Sequence, residues 1–189
     1  MTDPAQIRAA FEPHLRNFFE GHTIDAVTWP RGPIETVLPG FKVMRIAPGP
    51  KSALWTYVSN GASRITRPAC GVLEFMLQSP DENSRYVELV TMTAHYHATR
   101  GLDVGHTLPI GEPWVPASNC NALLVSRAYP YGPEFEICKF PEGHLHIYWL
   151  LPITEGERQF KIARGLEELE TLFEQRKLEY WAPGRASVV

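Results

Sequence analysis

The chain has 189 residues, a formal net charge of −3 and no cluster of basic residues, and these properties exclude several classes of protein. The length suffices for one domain with a sizeable core and is short for two. A mildly acidic chain without a basic patch lacks the electrostatic surface of a nucleic-acid-binding protein. No apolar run approaches the roughly 20 residues of a membrane span, and the N-terminus lacks the basic start and apolar core of a secretion signal.

Cysteine usage indicates the compartment. The three cysteines, Cys70, Cys120 and Cys138, show no CxxC spacing. An odd number of thiols without a paired motif favours reduced cysteines in a cytoplasm over a disulfide framework. We therefore expect a cytoplasmic protein.

The first half of the chain predicts one helix followed by short strands. The helix is expected over residues 4–20, because Pro4 suits a first turn, Gly21 suits the position after the end, and an apolar stripe runs between them. The stripe consists of Ile7, Phe11, Leu15 and Phe18. Strands are expected at 24–29, 42–47, 55–59 and 71–78. The Pro and Gly turns between the last three predict an antiparallel meander.

The second half adds a central helix, three strands and a last helix. Residues 79–82 fit a capping box, and the helix they introduce is expected to begin near Ser84 and to end at Arg100. Strands are expected at 122–127, 135–140 and 144–151. A second capping box at 154–157 opens a helix to about Lys177, whose apolar face is expected to carry Ile162, Leu166, Leu169 and Phe173.

Together these elements predict an α+β fold. We expect a single domain over residues 1–189, with a mixed, largely antiparallel sheet of about seven strands packed by about three helices. No linker, repeat or shift in composition divides the chain. The tail after the last helix is expected to contact the body of the domain through Tyr180 and Trp181.

Two histidine pairs raise the question of a metal site. His144 and His146 share one face of a predicted strand. A zinc or iron site needs further ligands, and Glu142 is the only carboxylate close to them in sequence. His95 and His97 lie about 200° apart around a predicted helix, so one metal ion cannot bind both. We therefore expect no metal and no cofactor.

Glu74 is the carboxylate that interrupts the apolar run of a predicted strand. A buried carboxylate needs a cation or several N–H donors, and Arg64, Arg45 or a loop amide are the candidates for that role. A structural role, in which Glu74 fixes a loop to the sheet, is favoured over a catalytic one.

The loop at 105–119 supports an alternative in which the chain is a small enzyme of unknown chemistry. Cys120 follows this loop and would need a nearby base to become reactive, and His106 lies near the start of the loop, where a hydrogen bond within the turn is the simpler role. No dinucleotide-binding, P-loop or zinc-protease signature is present, and residues 61–65 lack the closing glycine of a nucleophile elbow. We expect no catalytic residues.

The last predicted helix carries an acidic stretch over residues 165–175, which contain no lysine or arginine. Its carboxylates are Glu167, Glu168, Glu170 and Glu174. A solvated helix face is the ordinary explanation of such a run. The alternative is an acidic patch that attracts a basic partner.

Several segments, taken in order, resemble the suppressor-of-fused domain. They are 39–41 (PGF), 55–63 (WTYVSNGAS), 71–75 (GVLEF), 102–107 (LDVGHT) and 149–154 (WLLPIT), the last followed by Glu157 and Arg158. Their order and spacing, over about residues 25–189, carry the likeness. The chain is similar to the bacterial single-domain branch of the family.

The resemblance implies a non-enzymatic, protein-binding module. The animal member of the family is a cytoplasmic protein that clamps a peptide strand between two domains, and bacterial members are proposed to be immunity proteins that sequester toxins. We therefore expect a protein partner, either a toxin or a peptide strand, and neither nucleic acid nor a membrane. Addition of a partner strand to an exposed sheet edge is a physically reasonable mode, and the loop at 105–119 is a candidate recognition edge.

Six residues in or beside the matching segments are predicted to contribute to binding. They are aromatic or polar side chains, namely Trp55, Tyr57, Asn60, Glu74, His106 and Trp114.

Overall fold

The computed structural model describes residues 4–65 and 71–189 of the chain. The strands are β1 (Ile24–Val27), β2 (Lys42–Ile46), β3 (Trp55–Asn60), β4 (Leu73–Ser79), β5 (Thr107–Pro109), β6 (Cys120–Ser126), β7 (Ile137–Phe140) and β8 (Gly143–Thr154). The helices are α1 (Pro4–Phe18), α2 (Ile34–Val37), α3 (Ser84–Arg100), α4 (Pro133–Glu136), α5 (Glu155–Arg164) and α6 (Leu166–Gln175), and Ala62–Arg64 form a single 3₁₀ turn.

The strands form one mixed sheet in the order β1-β2-β3-β4-β8-β6-β5, and β7 pairs with the first part of β8. Strands β2 to β4 make the predicted antiparallel meander, and β1 extends it by one antiparallel strand. The central pair, β4 and β8, is parallel, and the other pairings among the described strands are antiparallel. The predicted α+β class with a mixed, largely antiparallel sheet is therefore confirmed. The strand that the sequence did not predict is β5, which has three residues and ends in a proline.

Both faces of the sheet are covered by helices. Helices α2 and α3 pack on one face, where Tyr57, Phe75 and Trp114 lie in the core. Helices α1 and α6 cover the other face through residues such as Phe11 and Phe173. Every residue of β4 is buried, because a central strand between two helical layers has no solvent face. This burial explains why apolar residues of β4 lie on both faces of the sheet, with Phe75 in one core and Met76 in the other.

Helix α1 ends two residues earlier than expected, and its buried stripe differs at one position. The stripe continues from Leu15 to Phe19, which is 1% exposed, whereas Phe18 is only half-buried. Phe19 follows the last helical residue, but its N–H still donates to the Leu15 carbonyl at 2.9 Å. The core line therefore runs through Phe19, and its predicted last member, Phe18, instead packs its ring 5.4 Å from that of Tyr131.

The predicted capping box at residues 79–82 is wrong, although the helix begins at Ser84 as expected. Ser79 is the last residue of β4, and its hydroxyl donates to the Asp81 carbonyl at 2.8 Å. The helix is capped by Asn83, whose side chain accepts from the Arg85 N–H at 2.9 Å.

Two further boundaries also differ from the expectation. The strand expected at 135–140 begins only at Ile137, because Phe135 and Glu136 belong to α4. The last helix is not continuous but is broken at Gly165, whose φ is 97°. The break removes Ile162 from the apolar face, so that it is 59% exposed, while Leu169 and Phe173 are buried as predicted.

The capping box at 154–157 is confirmed and also anchors the C-terminal tail. The side chain of Glu157 accepts from the N–H of Thr154 at 2.9 Å. Its two carboxylate oxygens also receive the guanidinium fork of Arg185, each at 2.7 Å. Arg185 lies near the end of the tail and donates in addition to the carbonyl of Pro152 at 2.8 Å. The expected contact through Tyr180 is also present, because its ring lies 4.6 Å from that of Trp149.

No helix among residues 4–65 and 71–189 is both long and apolar enough to cross a membrane.

The ion pair between Arg185 and Glu157 yields a test of how the tail is held. Arg185→Leu is expected to lower the free energy of unfolding at neutral pH by about 3–5 kcal/mol, because Glu157 would remain buried without its cation. Chemical denaturation measures the loss. The matched control is Arg176→Leu, at an exposed site that forms no ion pair with another described residue, where we expect a change within about 0.5 kcal/mol.

The same pair predicts a dependence on pH. Burial alone would raise the pKa of Glu157, but the bonds and charge of Arg185 and the amides of Thr154 and Val188 outweigh it and hold the pKa below its usual range. A lowered pKa stabilises the fold above the unfolded value of about 4.3, and this stability is lost as the pH falls through the folded value. The difference between wild type and Arg185→Leu should therefore narrow in acid, and a constant difference would contradict the assignment.

Candidate functional site

Glu74 in β4 is fully buried and is surrounded by hydrogen-bond donors from the turn after β3. Oε1 accepts from the N–H of Gly61 at 2.9 Å, the N–H of Ser63 at 3.1 Å and the hydroxyl of Ser63 at 2.6 Å. Oε2 accepts from the N–H of Ala62 at 3.2 Å and from the hydroxyl of Ser59. Successive amides that converge on one anion form a backbone nest. We call this arrangement, Glu74 with residues 59–63, the Glu74 cradle.

The hydrogen bonds of the cradle show which of the partners predicted from the sequence bind Glu74. Loop amides and hydroxyls surround the carboxylate, whereas the two arginines bind elsewhere. Arg64 donates to the Pro39 carbonyl, and Arg45 pairs with Asp25 and Glu82. Burial raises the pKa of Glu74, and the bonds from the serines and the turn oppose that rise. Glu74 therefore fixes the turn to the sheet.

Within the described part of the chain, no hydrogen bond joins the three residues considered for catalysis to one another. Glu74 is enclosed by its cradle. Cys120 is 1% exposed, and burial raises the pKa of its thiol against the opposing effects of Arg185 and Ser118. His106 is exposed, and its Nδ1 accepts from the Asp103 N–H at 3.2 Å, which is the bond within the turn that we expected. The enzyme alternative gains no support from this arrangement.

The aromatic residues predicted for binding are divided between the core and the surface. The rings of Tyr57 and Trp114 are fully buried on either side of Tyr86, at 5.3 and 5.7 Å from it. Trp55 is half-buried at the start of β3, and the guanidinium of Arg45 lies 5.8 Å from its ring centre. Of the three, only Trp55 reaches the surface, and a binding role for any of them stays a prediction.

Asn60, the remaining predicted residue, connects the cradle to α1. Its Nδ2 donates to Oε1 of Glu12 at 3.0 Å. The turn that encloses Glu74 is therefore held from the sheet side by the carboxylate and from the helix side by this amide.

The His144 and His146 rings lie 4.9 Å apart, as expected for one strand face. The sequence did not indicate that Glu136 of α4 would lie beside them, with Oε1 at 3.4 Å from Nδ1 of His146. Glu136 is also bound by Arg127 at 2.8 Å. Among the residues that the structure describes, no group of three or more His, Cys, Asp or Glu side chains is arranged to hold a metal ion.

The outer edge of β1 is a sheet edge to which no described strand is paired. The Ala47 N–H donates to the Thr23 carbonyl at 3.0 Å, which makes residues 23 and 47 a hydrogen-bonded pair. Hydrogen-bonded and non-bonded pairs alternate in an antiparallel ladder, so the N–H and C=O groups of Ile24 and Ala26 point away from β2. No other described strand or loop hydrogen-bonds to them.

The edge at β5, which lies in the predicted recognition loop, is less complete. The Ile110 N–H donates to the Asn121 carbonyl at 2.9 Å, so the alternation turns Thr107 and Pro109 outward. Proline has no N–H, and a proline at such a position is a common protection of a sheet edge. The edge at β5 therefore offers one outward donor, at Thr107, whereas β1 offers two.

Two clefts flank the half-buried indole of Trp29, just after β1. The first has a volume of about 420 Å³ and lies between Trp29, Arg45 and the start of α3 at Ser84 and Val87. The second, of about 300 Å³, lies between Trp29 and the middle of α3, where Met92 contributes to the wall. We call the free edge Ile24–Val27 together with these two clefts the β1 edge surface.

Charged groups of both signs lie within the β1 edge surface. Arg45 of β2 pairs with Asp25 on β1 at 3.3 Å and with Glu82 before α3. Sequence reasoning predicted the strand but not its outward groups, because these depend on register with β2. The tryptophan followed by proline at residues 29–30 is the one local signal that the strand ends beside a bulky anchor.

Comparison with known proteins identifies the family. The family model described as Suppressor of fused protein (SUFU) matches residues 38–186. A crystal structure of a SUFU homolog from Neisseria gonorrhoeae FA 1090 is 34% identical, covers 98% of each chain and superposes with a TM-score of 0.85. The chain belongs to the suppressor of fused family. A search of curated proteins gives no match.

More distant suppressor of fused structures share the fold alone. The Drosophila protein is 14% identical with a TM-score of 0.71, and this chain spans 54% of its length. The structure of a Sufu–Fu complex is 13% identical with a TM-score of 0.73, over 98% of this chain and 93% of that one. The family model contains the Glu74 cradle, whereas β1 precedes the matched residues.

The Glu74 cradle predicts a stability effect that can be measured directly. Glu74→Gln is expected to lower the free energy of unfolding by about 2–4 kcal/mol, because the amide nitrogen would face donors where an oxygen now accepts. Urea denaturation followed by tryptophan fluorescence measures it. Glu20→Gln, at an exposed position after α1, is the matched control and should change stability by no more than about 0.5 kcal/mol. Equal effects of the two substitutions would show that the cradle is not stabilising.

Proposed function

We propose that the chain is a non-enzymatic protein-binding module that recognises its partner at the β1 edge surface. The observation that carries the proposal is the free outer edge of β1, with the N–H and C=O groups of Ile24 and Ala26 directed outward. An extended segment of a partner would continue the sheet there. Main-chain hydrogen bonds would supply affinity in this mode, and pockets for alternate side chains would supply specificity.

The clefts beside Trp29 are placed to supply that specificity. Side chains of an added strand alternate between the two faces of the sheet. Those on the α3 face would reach the clefts on either side of the Trp29 indole. Arg45 and its two carboxylates would select against partners that place a like charge next to any of the three. The predicted binding residue Trp55, which stacks near Arg45, adjoins this surface.

We further propose that the partner is a protein toxin and that the chain acts in the cytoplasm as an immunity-type protein that sequesters it. Membership of the suppressor of fused family supports a binding role, since a member has been solved in a Sufu–Fu complex. The 34% identity to the Neisseria homolog supports the bacterial single-domain branch, for which an immunity role is proposed. A binding module of this kind needs no catalytic group, and the burial of Glu74 and Cys120 agrees with that.

A proline substitution in β1 tests the proposal. Ala26→Pro removes an outward N–H without removing a ladder bond, and proline is tolerated in edge strands at such positions. We expect the variant to fold and to lose its partner, because one main-chain bond is lost and the ring blocks close approach. Ala26→Ser keeps the N–H and is the matched control.

The assay is co-expression with a toxin-like product encoded beside this gene, with growth and co-purification as readouts. Wild type and Ala26→Ser should restore growth and co-purify with the toxin, and Ala26→Pro should do neither. Normal rescue by Ala26→Pro would show that the partner binds at a surface other than β1, and it would not contradict a binding role. Failure of the wild-type chain to bind or rescue would contradict the immunity proposal itself.

A further inference from the structure

A further pocket, separate from the two clefts of the β1 edge surface, lies between the sheet and α6. Its volume is about 290 Å³, near the lower end of the ~300–1,000 Å³ of small-molecule sites. Four aromatic residues line it, namely Tyr129, Trp149, Phe173 and Tyr180, and Leu151 adds an aliphatic wall. We call it the aromatic pocket. Its size suits a single long side chain.

Glu170 of α6 supplies a fixed negative charge to the aromatic pocket. Its Oε1 accepts from the Ser126 hydroxyl at 2.7 Å, and its Oε2 accepts from the Tyr129 hydroxyl at 3.3 Å. Each carboxylate oxygen can accept more than one hydrogen bond, so both retain capacity for a further donor. Burial raises the pKa of Tyr129, and the charge of Glu170 adds to the rise, so the phenol stays protonated and keeps donating.

A second carboxylate, Glu174, lies one helical turn further along α6 and also lines the pocket. Neither Glu170 nor Glu174 forms an ion pair with a basic residue of the described chain. An aromatic wall attracts a cation through the negative faces of its rings. Carboxylates beside such a wall add charge-assisted hydrogen bonds. The lining is therefore complementary to a group that is apolar along its stem and positive at its tip.

We propose that the aromatic pocket receives an arginine or lysine side chain from a protein partner. The methylene stem would lie against Phe173 and Leu151, and the charged tip would reach Glu170. A bare metal ion would leave the apolar walls without contacts, and a purely apolar side chain would leave both carboxylates without a cation. The buried indole N–H of Trp149 has no acceptor among the described residues.

The aromatic pocket distinguishes between the carboxylates in the acidic stretch of the last helix. Of its four carboxylates, Glu168 pairs with Arg164 at 2.8 Å and does not line the pocket. Glu167 is exposed and also lies outside the lining. Glu170 and Glu174 are therefore the pair through which this helix would recognise a basic partner.

The experiment uses N-acetyl-arginine methylamide as the probe and the citrulline analogue as its neutral isostere. Titration is followed by the indole N–H resonance of Trp149 in two-dimensional NMR. We expect a saturable shift with the arginine compound and little or none with the citrulline compound. Equal shifts with both compounds would overturn the proposal, because they would show that only apolar contact matters.

Substitutions on α6 provide the matched comparison. Glu170→Gln should weaken arginine binding about ten-fold or more through loss of the charge-assisted bond, and Glu174→Gln, at an exposed position, should weaken it about two- to three-fold. Glu167→Gln removes the same charge from the same helix outside the pocket and should leave affinity unchanged. If Glu167→Gln weakened binding as much as Glu170→Gln, the effect would come from the overall negative charge of the helix. That result would overturn the proposed site.

Lys177 tests whether the chain fills the pocket itself, since it also contributes to the lining. Lys177→Ala should leave arginine binding within about two-fold, because an exposed lysine loses little by staying in water. A gain of ten-fold or more would assign the pocket to this lysine and overturn the proposal. The pocket is separate from the proposed function at β1, so Ala26→Pro should bind the arginine probe like wild type.

Discussion

A carboxylate placed in the middle of a sheet must be surrounded by donors, and in this fold Glu74 imposes that requirement on the elements around it. Strand β3 has to end where its turn can direct three successive N–H groups at β4. Asn60 then joins the same turn to α1 through Glu12. The meander, the central strand and the first helix therefore meet at one charge. An apolar residue at this position would remove the reason for the turn to fold inward.

Local pattern predicted the elements whose own residues determine them. The meander, the helix from Ser84 to Arg100 and the capping box at 154–157 follow from short-range signals and were found as expected. The failures have different causes. Strand β5 is defined by its pairing with β6, which its three residues do not signal by themselves. The last helix breaks at Gly165, whose φ of 97° ends α5.

The candidate site shows the same division. The sequence predicted that Glu74 fixes a loop, since a buried carboxylate has few alternatives. It did not predict which groups bind Glu74, because the choice between two arginines and the amides of the turn depended on where β2 placed Arg45. The β1 edge surface could not be predicted, because the direction of a peptide N–H is a property of register and has no trace in the side chains. The aromatic pocket unites residues from three distant segments, so only its acidic helix was visible in the sequence.

The buried fork of Arg185 has a consequence for any polypeptide joined after Val189. The fork holds the chain to Glu157 and Pro152 only four residues before the end, and the N–H of Val188 also binds Glu157 at 3.1 Å. A fused segment would therefore leave from a defined point with a defined heading and would not swing on a loose tether. Val189 is 51% exposed, so the exit is open to solvent. Distances measured from a reporter fused there would therefore start from a point that is fixed relative to the domain.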